Sequence, residues 1–165
     1  MIRSFINKFG STLYVQIWEN RIRVVDIETN EVFDEKPLLQ VEIRKNGAKE
    51  VTAFGNNAYI NPLNPFSHPR ALLCDFFIAE RLLQEIVKKL VGKKFISPAP
   101  AIIIHPMEKN DGGLTMIEIR AFREMALGAG AREVAIYQGK DTLESSTINF
   151  KDIVKQEDAS LGNSW

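Results

Sequence analysis

The sequence is short of most things that announce a chemistry. It has one cysteine, Cys74, so no disulfide forms within the chain. A lone thiol fits a reducing cytoplasm, which is the expected compartment. Its two histidines, His68 and His105, each precede a proline and have no clustered Cys or carboxylate beside them. That is poor material for a metal centre, so structural or solvent-facing roles are expected for both and no cofactor is expected. Charge of one sign is also lacking. Lys plus Arg and Asp plus Glu each number 21, so no bulk field favours nucleic acid as a partner. No apolar run approaches the roughly 20 residues that span a bilayer. The first residues also lack the apolar core and small-residue site of a signal peptide. What is present is ordinary globular composition, 45% hydrophobic and 25% charged over 165 residues, enough for one domain with a sizeable core.

Periodicity divides the chain into elements. "STLYVQIWENRIRVVDIETNEV" reads as two strands, Leu13–Ile17 and Arg21–Ile27, joined by a tight turn at Trp18–Asn20. In "PLLQVEIRKNG", Leu39, Val41 and Ile43 alternate with polar residues as a half-buried third strand, and Asn46-Gly47 turns the chain. "EVTAFG" suggests a short fourth strand, and the proline-rich "NPLNPFSHPR" a loop. Asp75 is placed to cap a helix over 76–91, with Lys88 and Lys89 in its last turn and Gly92 beyond it. Cys74, at that helix start, is expected to be buried. "AIII" at 101–104 is a fully buried strand by its β-branched run. Asp111-Gly112-Gly113 lacks the Lys and Ser/Thr of a phosphate loop and reads as a turn. A second helix follows over about 114–127, ended by Gly128 and Gly130, and then the strand "REVAIYQ". The helical and strand-like potential around 148–154 is weak.

The order β-β-β-(β)-α-β-α-β implies right-handed crossovers and a ribonuclease-H-like α/β fold. The expectation is a mixed five-stranded sheet, three meander strands plus two crossover strands, with two main helices. Segment 1–10 would be an N-terminal amphipathic piece, 11–139 the domain and 140–165 a polar tail.

Two stretches carry a resemblance. "CDFFIAERLLQEIVKKL" and "EIRAFREMALGAGAREVAIYQ" resemble the MreB family of bacterial actins, the rod-shape-determining proteins. The family shows a similar ADFF..E..LQ helix and a similar R-A-I-R-E-x-A-x-G-A-G-A-R-E-V run from helix to strand. The resemblance covers about residues 1–139, is strongest over 70–137, and reaches only the first subdomain of a family more than twice as long. It implies an actin-like ATPase subdomain of which one nucleotide-binding half is missing.

The departures matter as much. The family's first phosphate loop resembles L-S-I-D-L-G-T-A-N-T. Aligned on Leu13, the metal-side Asp is Gln16 here, the loop Gly is Trp18 and the phosphate-facing Thr is Glu19. Phosphate cradles need unobstructed backbone N–H groups; Trp18 obstructs and Glu19 repels. Where the family carries its water-activating Glu-Glu-Pro, this chain has Gln138-Gly139, and Gln138 lacks the titratable group of a general base. No catalysis is therefore expected. The rival expectations are half of a two-chain actin-like ATPase and an actin-like adaptor of a pilus or secretion assembly.

Two surfaces stand out. Ile2, Phe5, Ile6 and Phe9 recur at helical spacing, with Arg3 and Lys8 elsewhere on the wheel. That pattern suits a peripheral inner-membrane contact, which the resemblance also implies for some members. On the second helix, Leu114, Ile117, Ala121, Met125 and Gly128 are expected to face the core. Met116, Ile119 and Leu127 then fall on the opposite side, beside Arg120 and Arg123. A second apolar stripe needs a cover. A protein partner is expected there, a second copy or a full-length MreB-like filament protein, and Trp18 is expected to offer another contact.

Overall fold

The computed structural model describes residues 10–92 and 98–162. The amphipathic positions Ile2, Arg3, Phe5, Ile6, Lys8 and Phe9 lie outside the described residues.

Strands β1 (Thr12–Trp18) and β2 (Arg21–Asp26) form the antiparallel hairpin read from the sequence. The next strand, β3 (Val32–Glu35), pairs with β2. The expected third strand, β4 (Leu39–Ile43), pairs instead with β5 (Lys49–Phe54) in a separate two-stranded sheet. The third meander strand is therefore the four-residue "VFDE", too short and too polar to show a clear period of two. Phe33 of β3 stacks on Phe54 of β5, ring centroids 5.9 Å apart, which fastens the small sheet to the large one.

Helix α1 (Phe76–Val91) starts where Asp75 accepts a hydrogen bond from Ile78 N–H at 3.1 Å. Cys74 is exposed rather than buried, its thiol directed at the Pro65 carbonyl at 3.0 Å. β6 (Ala101–Pro106) runs parallel to β1, and β7 (Glu133–Ile136) parallel to β6, giving the order β3-β2-β1-β6-β7. Between them lies α2 (Met116–Gly128), opened by a reciprocal capping box of Thr115 and Glu118. Gly130, at φ 108, makes the turn into β7 that an L side chain would resist.

The segment expected as a polar tail is folded. It forms a third helix, α3 (Phe150–Gly162), with Ile153 and Glu157 buried. The sheet is thus covered on both faces. Leu13, Val15, Ile17, Ile22, Val24, Ile102 and Ile104 pack with the apolar sides of α1 and α2. Tyr14, Ile103 and Ala135 pack with Ile153 on the other face. This alternation along β1 and β6 is what a strand buried on both sides requires.

Candidate functional site

The β1–β2 turn and the positions around it are tied into the protein. Gln16 is buried; its amide donates to Thr142 Oγ1 at 2.9 Å and lies 3.6 Å from Met107 Sδ. Its Oε1 faces Arg23 Nη1 at 3.4 Å. Trp18 is half-buried rather than freely exposed, with the Arg21 guanidinium 4.7 Å from its ring centroid. Arg21 also grips Asp34 through two bonds, at 2.7 and 2.6 Å. That guanidinium holds the Asp34 carboxyl below its ordinary value, a bond donated to the charged form being the largest cause.

The turn's own N–H is also taken. Glu19 N–H donates to Glu108 Oε2 at 3.0 Å, its carbonyl accepts from Asn64 at 2.8 Å, and its carboxylate lies 3.4 Å from Lys109 Nζ. The backbone donor of the turn that the resemblance aligns with a phosphate loop is therefore already bonded to a carboxylate of this chain. Gln138, which the resemblance aligns with a water-activating carboxylate, uses its Oε1 to accept from Leu114 N–H at 2.8 Å, holding the approach to α2.

Around these residues lies an open cleft of about 470 Å³, floored by Gln16, Trp18, Arg21 and Arg23 and walled by residues 142–146. The wall is fastened by a buried polar chain. Leu143 N–H donates to Tyr14 Oη at 3.1 Å. Tyr14 Oη lies 2.6 Å from His105 Nδ1, and His105 Nε2 lies 2.6 Å from the Gly139 carbonyl. The carbonyl only accepts, so Nε2 carries a proton, and in the neutral ring Nδ1 accepts from the tyrosine hydroxyl. Burial favours that neutral ring by pushing its pKa below the ordinary histidine value, partly offset by the Gly139 bond. Burial likewise raises that of Tyr14. Among the described residues no cluster of three or more His, Cys, Asp or Glu could hold a metal ion, and no helix is long and apolar enough to cross a membrane.

The face of α2 differs from the sequence reading by its phase. Ile119 is buried at 6% exposure, with Phe122, Met125 and Ala126, whereas Ile117 is 82% exposed. Apolar residues occur around much of this helix, so periodicity alone fixes its rotation poorly; the contacts with α1, β6 and β7 decide it. Ile119 is therefore a core residue, not an interface one. Met116 (60%) and Leu127 (46%) are exposed as expected, and Ile117 joins them around Arg120. Arg120 pairs with Glu124 at 3.0 Å on the helix surface. Arg123 is not free for a partner: it is bonded to Glu157 of α3 and donates to the Val134 carbonyl at 2.7 Å. The Thr115-x-x-Glu118 cap was a readable signal for the true start of α2. The partners of Gln16, Tyr14 and Arg123 lie far along the chain, and no local pattern points to them.

No protein-family model matches the chain. Curated relatives do. The chain is 30% identical over 117 residues to the cell shape-determining protein MreB of Pasteurella multocida, a match covering 65% of this chain and 32% of that protein. It is 36% identical over 85 residues to MreB of Escherichia coli K12, covering 51% of this chain and 22% of that one. The matches thus span about a third or less of these relatives' length. The uncharacterized protein YjaA of Escherichia coli K12 is 32% identical over 124 residues, covering 72% of this chain and 76% of YjaA. Among solved structures, MreB5 of Spiroplasma citri bound to ADP aligns with TM-score 0.58 at 18% identity, over 78% of this chain and 38% of that one. A non-polymerising MamK mutant bound to AMPPNP aligns with TM-score 0.61 at 13% identity, over 77% of this chain and 40% of that one. At such identities the structural likeness establishes the fold alone.

Proposed function

This chain belongs to the family of YjaA and has the MreB-like, actin-like fold, and from that premise we propose that it is a non-catalytic protein-interaction module acting on cytoskeletal filaments. The observation that carries this reading is the exposed set Met116, Ile117 and Leu127 around Arg120 on α2. A helix covering a sheet should turn a charged back to water. Met and Arg are also residue types enriched where proteins meet. The partner is a full-length MreB-like filament protein or a second copy of this chain, and the role is in cell shape or filament assembly. The half-buried Trp18 forms a second contact.

The non-catalytic part rests on the turn. Trp18 stands where small side chains are needed, and the Glu19 N–H already has a carboxylate on it. Gln16 and Gln138 are spent on internal bonds. Site of action is the cytoplasm, with the amphipathic residues 1–9 touching the inner membrane peripherally.

Affinity capture from the native cell, with the chain and its Met116→Lys/Leu127→Lys variant in parallel, tests the interaction. Recovery of a filament protein by the parent and not by the variant is expected; equal recovery by both would overturn the surface assignment. Titration with ATP and magnesium tests the other half, and saturable binding by the isolated chain would sink it. Vesicle sedimentation with and without residues 1–9 tests the membrane contact, which fails if truncation leaves binding unchanged.

A further inference from the structure

The outer edge of β7 is occupied by side chains rather than by another strand. β7 ends the sheet on its side. Tyr137 N–H donates to the Ile104 carbonyl of β6 at 2.8 Å. By the alternation of a strand, residues 134 and 136 then direct their backbone groups away from β6, toward the open edge. Arg123 Nη1 donates to the Val134 carbonyl at 2.7 Å, and Glu157 Oε2 accepts from Ile136 N–H at 3.0 Å. The remaining Nη2 and Oε1 atoms bond each other. Arg123 comes from α2 and Glu157 from α3, so one ion pair bridges two helices and offers β7 a donor and an acceptor. A neighbouring strand would offer the same two groups.

Packing alone does not call for this arrangement. Ile153 already seats α3 on the sheet. The Glu157 side chain is 4% exposed, and a carboxylate is costly to bury. Its partners are the Arg123 guanidinium and a backbone N–H that would otherwise be left for another chain.

We infer that the Arg123–Glu157 pair is an edge guard: it stands where a sixth strand would lie and stops β7 from pairing with β7 of a second copy of this chain. A strand that meets its own copy antiparallel about a two-fold axis is self-complementary, so an unguarded β7 needs no other partner. This surface is separate from the exposed face of α2, and the inference does not depend on the proposed function.

The discriminating variant is the double exchange Arg123→Glu with Glu157→Arg. It preserves an ion pair between α2 and α3 but inverts the polarity toward β7. The Val134 carbonyl then faces a carboxylate and Ile136 N–H a guanidinium. Glu157→Ala removes the acceptor of Ile136 N–H and the ion pair, leaving Arg123 alone on the Val134 carbonyl. Glu157→Gln keeps an oxygen for Ile136 N–H and serves as the rescue. Amide hydrogen exchange over residues 133–137 is measured beside light scattering across a concentration series.

In the exchanged and Ala variants, dilute protein should lose protection at Ile136 by about tenfold or more. Both should then gain mass with concentration, with residues 133–137 protected again in the larger species. Glu157→Gln should follow the parent. The inference is overturned if the exchanged variant matches the parent in protection and mass, which would make the pair a plain inter-helix bridge. It is equally overturned if association occurs while residues 133–137 stay unprotected. Should Glu157→Ala fail to fold, the exchanged and Gln variants decide.

Discussion

The two faces of the central sheet are built by different rules. On one, Leu13, Val15, Ile17, Ile102 and Ile104 meet Leu82, Leu83, Ile86, Phe122 and Met125 with no polar group among them. On the other, Tyr14, Gln16 and His105 are buried together with only a small apolar cluster beside them. Residues 139–143 are fastened there by hydrogen bonds, and α3 is held in part by the Arg123–Glu157 pair. Non-directional burial secures the first face whatever the side-chain detail. The second depends on each donor finding its acceptor, because an unmatched buried group costs more than a matched one contributes. The apolar face therefore carries most of the stability, and the polar face fixes where the last part of the chain sits.

Substitutions can break this contrast. The largest effect is expected on the apolar face: Leu82, fully buried in α1, should lose about 2–5 kcal/mol on change to Ala, read by chemical denaturation. On the polar face, Tyr14→Phe leaves both Leu143 N–H and His105 Nδ1 without a partner. A loss of about 1–3 kcal/mol is expected, with faster amide exchange around Leu143 while α1 stays protected. Equal loss of protection in α1 would erase the distinction between the faces.

A third effect belongs to the polar face alone. His105 is held neutral between Tyr14 and the Gly139 carbonyl, with Tyr137 edge-on to its ring, and its folded pKa is depressed. Below the unfolded value of about 6.5 the unfolded chain binds the extra proton first. Stability is then fully present above that pH and falls as pH drops through it, by at most about 1.4 kcal/mol per pH unit, levelling off below the folded pKa. His105→Asn should flatten that part of the profile; an unchanged slope would assign the acid sensitivity to other groups. The smallest effect on stability, within about 0.5 kcal/mol, is expected for Met116→Lys and Leu127→Lys on the exposed back of α2. Their effect should appear in partner capture instead.

Legibility followed the same divide. The hairpin, α1 with its Asp75 cap, β6 and β7 lie close to where local pattern puts them: α1 buries one stripe at helical period behind its cap, and β6, buried on both faces, shows as an unbroken apolar run. β3 and α3 escape: four residues carry too little period, and α3 is short of apolar residues, with Ile153 and Glu157 buried and Phe150, Val154 and Leu161 only partly so. Period misplaces the rotation of α2 because Ile117 and Ile119 are chemically alike and only the fold separates them. At the candidate site, Gln16, Trp18, Glu19 and Gln138 could be singled out from the resemblance. Their partners Thr142, Glu108, Lys109 and Leu114 could not, since contacts across such sequence distances leave no local trace.

The strand order also sets a timetable for synthesis. β1 lies between β2 and β6, so half of its ladder waits for residues 101–106 to be made. At about 5–20 residues per second, a ribosome leaves that flank of the most apolar hairpin unpaired for on the order of ten seconds. During that interval the growing chain carries an open, hydrophobic edge in the middle of its future sheet, and it is the arrival of "AIIIHP" that closes it.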